Sequence, residues 1–228
     1  MPEQLYVIAG RPGMGKSAYA CSSLRQTAEA GFGVGLFSLE MSRDEVSARC
    51  VSDAVASASS PFFGSILRGQ WSDPEGDQIM TARERLRKLP LHVDASARLT
   101  MPEIAARARS LKARYQTAGS PLAVVAIDHM GLVEPDGRYS GNKVAETGQV
   151  SRAGKVLAKR AKSCVVMLCQ LSREVEKRDD KRPSLADLRW SGDIEQDADV
   201  VLFLYREAYY LQNDPPATRT SCTTRPIA

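Results

Sequence analysis

The sequence predicts an α/β fold, a mostly parallel β-sheet flanked by helices. Three observations carry that prediction. Six short apolar runs recur along the chain, at 5–9, 34–39, 91–93, 122–127, 164–169 and 199–205. Most are continuous rather than alternating, which is the pattern of strands buried on both faces. Stretches with helical start signals separate them. A glycine-rich loop stands directly after the first run, where a parallel sheet places its ligand.

Bulk properties fit such a fold. The 228 residues suffice for one large domain with a real core, and 43% hydrophobic and 25% charged residues are ordinary for a soluble globular chain. No apolar run approaches the roughly 20 residues of a membrane span, and the N-terminus has no basic-then-apolar leader. Five cysteines, odd in number and without CxxC spacing, argue against a disulfide framework and for a reducing, cytoplasmic setting. With only His92 and His129 available, a histidine-rich metal site is not expected. The net charge of +4 permits an anionic partner and proves none.

The first run, LYVIA, leads into IAGRPGMGKSAYA at 8–20. Gly10 to Ser17 spell G-x-x-x-x-G-K-S, the P-loop of nucleotide-binding proteins. Its glycines let successive backbone N–H groups turn inward around phosphate oxygens, and the following helix points its positive end at the same anion. The expected cradle comprises Gly10, Arg11, Pro12, Gly13, Met14, Gly15, Lys16, Ser17 and Ala18. Lys16 is expected to reach the terminal phosphates and Ser17 to bind Mg²⁺.

The second run, VGLFSL, ends just before Glu40. A carboxylate there can polarise a water in line with the terminal phosphate, or it can simply precede the helix capped by Ser42. Ser42 with Glu45, and Thr100 with Glu103, match the capping box, and Asp73-Pro74 reads as a cap followed by proline at the first helical position. In 102–115, Ile104, Ala108, Leu111 and Tyr115 share one face, as in an amphipathic helix packed on a sheet. The fourth run, LAVVAID, ends in Asp128, the Walker B pattern for holding the metal. Gln170 follows the fifth run. Its amide can bond the terminal phosphate or satisfy a loop backbone, and spacing leaves both open. Residues 134–143 and 174–183, polar and bounded by Pro or Gly, read as mobile loops. Residues 1–211 therefore read as one domain, and 212–228, rich in Pro, Thr and Arg, as an irregular, disordered tail.

The stretches IAGRPGMGKS, LFSLEMS, VVAIDHMGLV, GNKVAE and CQLSREVEKRDDKRPSLADLRWSGDIEQDADVVLFLYRE resemble, in this order, the C-terminal motor domain of replicative DNA helicases of the DnaB type. That domain is a RecA-like P-loop NTPase. The resemblance runs over about residues 5–211, and 170–207 is its most diagnostic block. It implies ATP and Mg as cofactors, with Lys16 and Ser17 on phosphate and metal, Glu40 as catalytic base and Asp128 as the Walker B carboxylate. Gln170 becomes the sensor of phosphate state, on a strand lying between the P-loop strand and the Walker B strand. Arg189 and Gly192 match positions where the family grips single-stranded DNA. The activity implied is that of an ATP-dependent DNA helicase motor translocating on single-stranded DNA during replication. A homo-hexameric ring with primase and helicase-loader partners comes with it.

The sequence also departs from the family. Trp190 stands where glutamate is usual, as a base-stacking residue or as core or interface. His129 stands where tyrosine is usual. The family continues into another strand and a Lys-x-Arg pair whose arginine reaches the neighbouring subunit's γ-phosphate. Arg219 and Arg225 lack a flanking strand and are not expected to be that finger, which is worth about 10³–10⁵ in rate. The family's N-terminal domain and linker helix are not matched either, so the chain reads as a motor domain truncated at both ends. Two alternatives stand beside the motor. One is a helicase remnant that binds nucleotide and DNA and hydrolyses poorly. The other is a strand-exchange recombination ATPase, which would share the P-loop and Walker B logic without the 170–207 block.

Overall fold

In a computed structural model, which describes residues 2–56, 62–135, 141–188 and 192–211, all six expected runs form strands. They are β1 (Leu5–Gly10), β2 (Gly33–Ser38), β3 (Leu91–Asp94), β4 (Leu122–Asp128), β5 (Cys164–Gln170) and β6 (Val200–Phe203). They make one sheet in the order β3-β2-β4-β5-β1-β6, and every pairing is parallel. The fold is RecA-like. β6 is shorter than the run that predicted it. Tyr205 leaves the strand, and its ring stacks on Tyr210 at 5.5 Å between centroids.

Eight helices complete the described residues: α1 (Lys16–Glu29), α2 (Arg43–Ala54), α3 (Phe63–Arg68), α4 (Asp73–Arg87), α5 (Met101–Thr117), α6 (Lys143–Ala161), α7 (Gly192–Asp197) and α8 (Glu207–Leu211). The continuous apolar runs follow from the two covered faces. Leu5, Val7 and Ala9 of β1, Val125 and Ile127 of β4, and Val165 and Met167 of β5 pack with Ile104, Ala108, Leu111 and Tyr115 of α5 and Val150 and Leu157 of α6. Intervening residues face the other way. Val34, Leu36 and Ala126 meet Cys21, Leu24 and Ala28 of α1 and Val46 and Cys50 of α2, while Ile8 and Leu168 meet Met14 and Ala20. Each fully buried Leu or Ile contributes about 1.5–3 kcal/mol, so the two helical layers fix the sheet between them.

The capping boxes at Ser42 and Thr100 form as expected. The Thr100 N–H and hydroxyl both donate to Glu103 at 2.8 Å. At α4 the cap lies one residue earlier than Asp73. The N–H and hydroxyl of Ser72 both donate to Glu75 at 2.7 Å, which leaves Asp73 and Pro74 inside the first turn. Two expected loops contain regular structure among the described residues. Asn142 caps α6, so 134–143 ends at a helix start; residues 136–140 lie outside the described residues. Residues 173–177 form a 3₁₀ turn that buries Val175 completely, and Glu176 on it pairs with the buried Arg11 while Glu174 and Lys177 pair at the surface. The tail 212–228, with Arg219 and Arg225, lies outside the described residues. No helix among the described residues is long and apolar enough to cross a membrane.

Candidate active site

A parallel sheet delivers every strand's carboxyl end to one edge, and here four neighbouring ends carry the expected residues. Gly10 pairs in register with Gln170, and Ser38 with Asp128, while β4 and β5 run side by side. The Leu39 N–H donates to the Asp128 carbonyl at 2.6 Å, which brings the β2 exit and Glu40 against the end of β4. The expected placement of the sensor strand between the P-loop and Walker B strands is what the sheet order gives.

The loop after β1 needs its glycines. Gly13 and Gly15 adopt φ of +79° and +89°, a region that L side chains enter at a cost of about 1–2 kcal/mol. A Cβ on Gly15 would find nothing within 4 Å, so the space beside it is open. Lys16 folds back over the loop and donates from Nζ to the Gly10 carbonyl at 2.8 Å and to the Arg11 carbonyl at 3.3 Å. Burial pushes its pKa down, and the charges of Glu40 and Asp128 oppose that shift.

Asp128 is 5% exposed. Burial pushes its carboxyl above the ordinary range, while a hydrogen bond from Ser17 works the other way. Its Oδ1 is buried with no protein partner. An orphaned carboxylate oxygen beside a serine hydroxyl is suited to a hard divalent cation. Among the described residues no three His, Cys, Asp or Glu side chains cluster as a metal site. A cation at Ser17 and Asp128 would therefore complete its shell with phosphate oxygens and water. His129 packs beside this pair. Its Nδ1 accepts from the Gly131 N–H at 3.1 Å and caps a 3₁₀ turn, and burial lowers its pKa.

Lys16, Ser17, Glu40, Asp128 and Gln170 thus meet at one sheet edge. The residues expected to grip DNA stand apart from this account. Gly192 opens α7, which packs on α6 through the fully buried Ile194, and Arg189 and Trp190 lie outside the described residues.

Two features escaped sequence reasoning. The Arg11 side chain turns away from the cradle to Glu176 and the Leu171 carbonyl. The ring of Tyr209 in α8 covers Gly13, whose carbonyl accepts from Arg206 Nη1 at 3.5 Å. Partners separated by 165 and 193 residues leave no local pattern to read.

Comparison with known proteins agrees with this geometry. The family model described as DnaB-like helicase C terminal domain matches residues 1–225. "Replicative DNA helicase DnaB" of Rickettsia bellii (strain RML369-C) is 35% identical over 224 residues, covering 93% of this chain. Its counterpart in Leifsonia xyli subsp. xyli (strain CTCB07) is 38% identical over 217 residues, covering 95%. The chain spans only 43% and 45% of those relatives' lengths. Among solved structures, one described as an ATPase domain superposes with a TM-score of 0.83 at 31% identity, over 94% of this chain and 74% of that one. "The Structure Of A DnaB-Like Replicative Helicase And Its Interactions With Primase" gives 0.85 at 29% identity, over 100% of this chain and 55% of that one. Matched over nearly its whole length in sequence and in fold, the chain belongs to the DnaB-like helicase C-terminal domain family.

Proposed function

We propose that this chain is the nucleotide-driven motor of a replicative DNA helicase, binding and hydrolysing ATP with Mg²⁺ to move along single-stranded DNA. The observation that supports this best is the convergence of Lys16, Ser17, Glu40, Asp128 and Gln170 at one sheet edge.

The main-chain amides of the Gly10–Ala18 loop hold the phosphates, and Lys16 leaves the Gly10 and Arg11 carbonyls to meet the terminal ones. Ser17 and the orphaned Asp128 oxygen hold the metal. Mg²⁺, when bound, neutralises charge on the phosphate oxygens during transfer. Glu40 orients the attacking water and takes its proton. Gln170, beside Gly10, bonds the terminal phosphate and senses its loss. Arg189 and Gly192 grip the single strand through its phosphates.

Following the family resemblance, we extend this reading to six copies closing into a ring in the cytoplasm, with primase and a loader as partners. Lys16→Ala tests the foundation. Titration with a fluorescent ATP analogue should show binding abolished, and hydrolysis with single-stranded DNA should vanish. Unchanged nucleotide affinity would refute the cradle.

A further inference from the structure

We infer that Arg11 and Glu176 are a positioning pair, which couples occupancy of the phosphate cradle to the segment leading to the DNA-gripping residues. The inference rests on the motor reading above and adds a route that does not pass through the Gln170 amide. The P-loop pattern leaves position 11 open to any residue, so phosphate binding alone does not call for an arginine there.

Arg11 nevertheless buries its side chain to 9% exposure and aims it out of the cradle. Its Nε donates to Glu176 Oε1 at 2.9 Å and its Nη1 to the Leu171 carbonyl at 3.0 Å. A guanidinium so far out of water needs hydrogen-bonding partners, and Glu176 and the Leu171 carbonyl supply two.

The partners belong to a closed segment. Leu171 and Leu188 form an antiparallel bridge, and the Ser172 N–H donates to the Asp187 carbonyl at 2.9 Å. The buried Asp187 carboxylate accepts from Arg178 at 2.7 Å and from the Ser184 N–H and hydroxyl at 2.7 and 2.9 Å. Leu171, Val175 and Leu188 are almost wholly buried. Residues 171–188 therefore move as one piece, and a displacement felt at Leu171 or Glu176 arrives at Leu188, the neighbour of Arg189.

The input comes from the Gly10 carbonyl. It accepts both the Lys16 ammonium at 2.8 Å and, at a longer 3.4 Å, the Leu171 N–H. When Lys16 leaves for a phosphate, that carbonyl is free to draw Leu171 in. The Arg11 carbonyl, which Lys16 releases in the same motion, belongs to the residue whose side chain holds Glu176. One lysine movement thus reaches the segment twice, through Gly10 and through Arg11.

The test is Glu176→Ala in the full chain, with Glu176→Gln alongside. Three quantities are read: ATP turnover with and without oligo-dT, KM for ATP, and oligo-dT affinity with and without a non-hydrolysable analogue. Glu176→Ala should keep DNA-free turnover and KM within about twofold and lose about tenfold of the DNA stimulation, a typical coupling between sites. It should also lose the analogue's effect on DNA affinity. Glu176→Gln, which keeps an acceptor for Arg11, should fall between. Full stimulation in Glu176→Ala overturns the inference. So does an equal loss of basal and stimulated turnover with a lowered melting temperature, which would mark the pair as a staple. An unaltered chain that DNA does not stimulate would instead overturn the motor reading beneath it.

Discussion

Replacing Gly13 and Gly15 by alanine, one at a time, separates two costs that the P-loop combines. Both residues have positive φ, +79° and +89°, so each alanine should cost about 1–2 kcal/mol of backbone strain. A Cβ at Gly15 touches nothing within 4 Å, so Gly15→Ala should stop at that figure. A Cβ at Gly13 would sit 3.1 Å from Cε2 of Tyr209, inside the roughly 3.5–4.0 Å of a comfortable carbon contact. Tyr209 has limited room to yield, because its ring meets Tyr210 edge-on at 5.4 Å and Tyr210 stacks on Tyr205. Crowding of this kind adds about 1 kcal/mol or more, so Gly13→Ala should cost about 2–3 kcal/mol in all. Urea unfolding without nucleotide measures both, and Tyr209→Ala completes a cycle. In that background Gly13→Ala should fall back to the cost of strain alone. Equal costs for the two alanines, or a coupling below about 0.5 kcal/mol in the cycle, would refute the reasoning.

Glu40→Gln should leave ATP binding intact and lower steady-state turnover about 10²–10⁴-fold, the usual worth of a positioned base; turnover equal to the parent's would remove Glu40 from the chemistry. Asp128→Asn should raise stability while removing Mg²⁺-dependent turnover. Burial raises the folded pKa of Asp128, so the folded chain binds its proton more tightly than the unfolded chain. Stability from this group is therefore lost as pH rises from about 4, the ordinary carboxylate value, through the raised one. The neutral amide escapes that loss. Its melting temperature should exceed the parent's near pH 7 by about 2–4 °C per kcal/mol relieved, and the gap should close toward pH 4. A lower melting temperature near pH 7 would contradict the burial argument.

The strands were legible because a strand covered on both faces has no polar side to display, and LAVVAI or CVVMLC could hardly be anything else. The candidate site residues were legible for a related reason. In a parallel sheet they stand where an apolar run stops, which singled out Glu40, Asp128 and Gln170. The adjacency of Gly10 and Gln170 came from family resemblance, since strand order leaves no mark on a single sequence. Charge misled where it pairs inward. Glu176 and Arg178 read as part of a solvated run, yet one meets Arg11 and the other the buried Asp187. At α4, Asp73-Pro74 imitates a capped start, whereas the Ser72–Glu75 bonds decide where the helix begins.

In the proposed motor, sheet order also lets one movement serve both chemistry and DNA. β2, β4, β5 and β1 are consecutive, and at about 4.8 Å per strand their four ends span about 14 Å. The residues proposed to hold metal, water and phosphate on those ends cannot shift independently over so short a distance. β5 has a second obligation. Its last residue lies beside the cradle, and its next residue, Leu171, opens the segment bridged at Leu188. A phosphate contact that moves the end of β5 therefore moves the approach to Arg189 without any domain hinge. On the inference drawn above, the Arg11–Glu176 pair sets how stiffly that displacement is passed on. Loosening the pair should leave the cradle able to bind and split nucleotide while the strand of DNA goes unmoved.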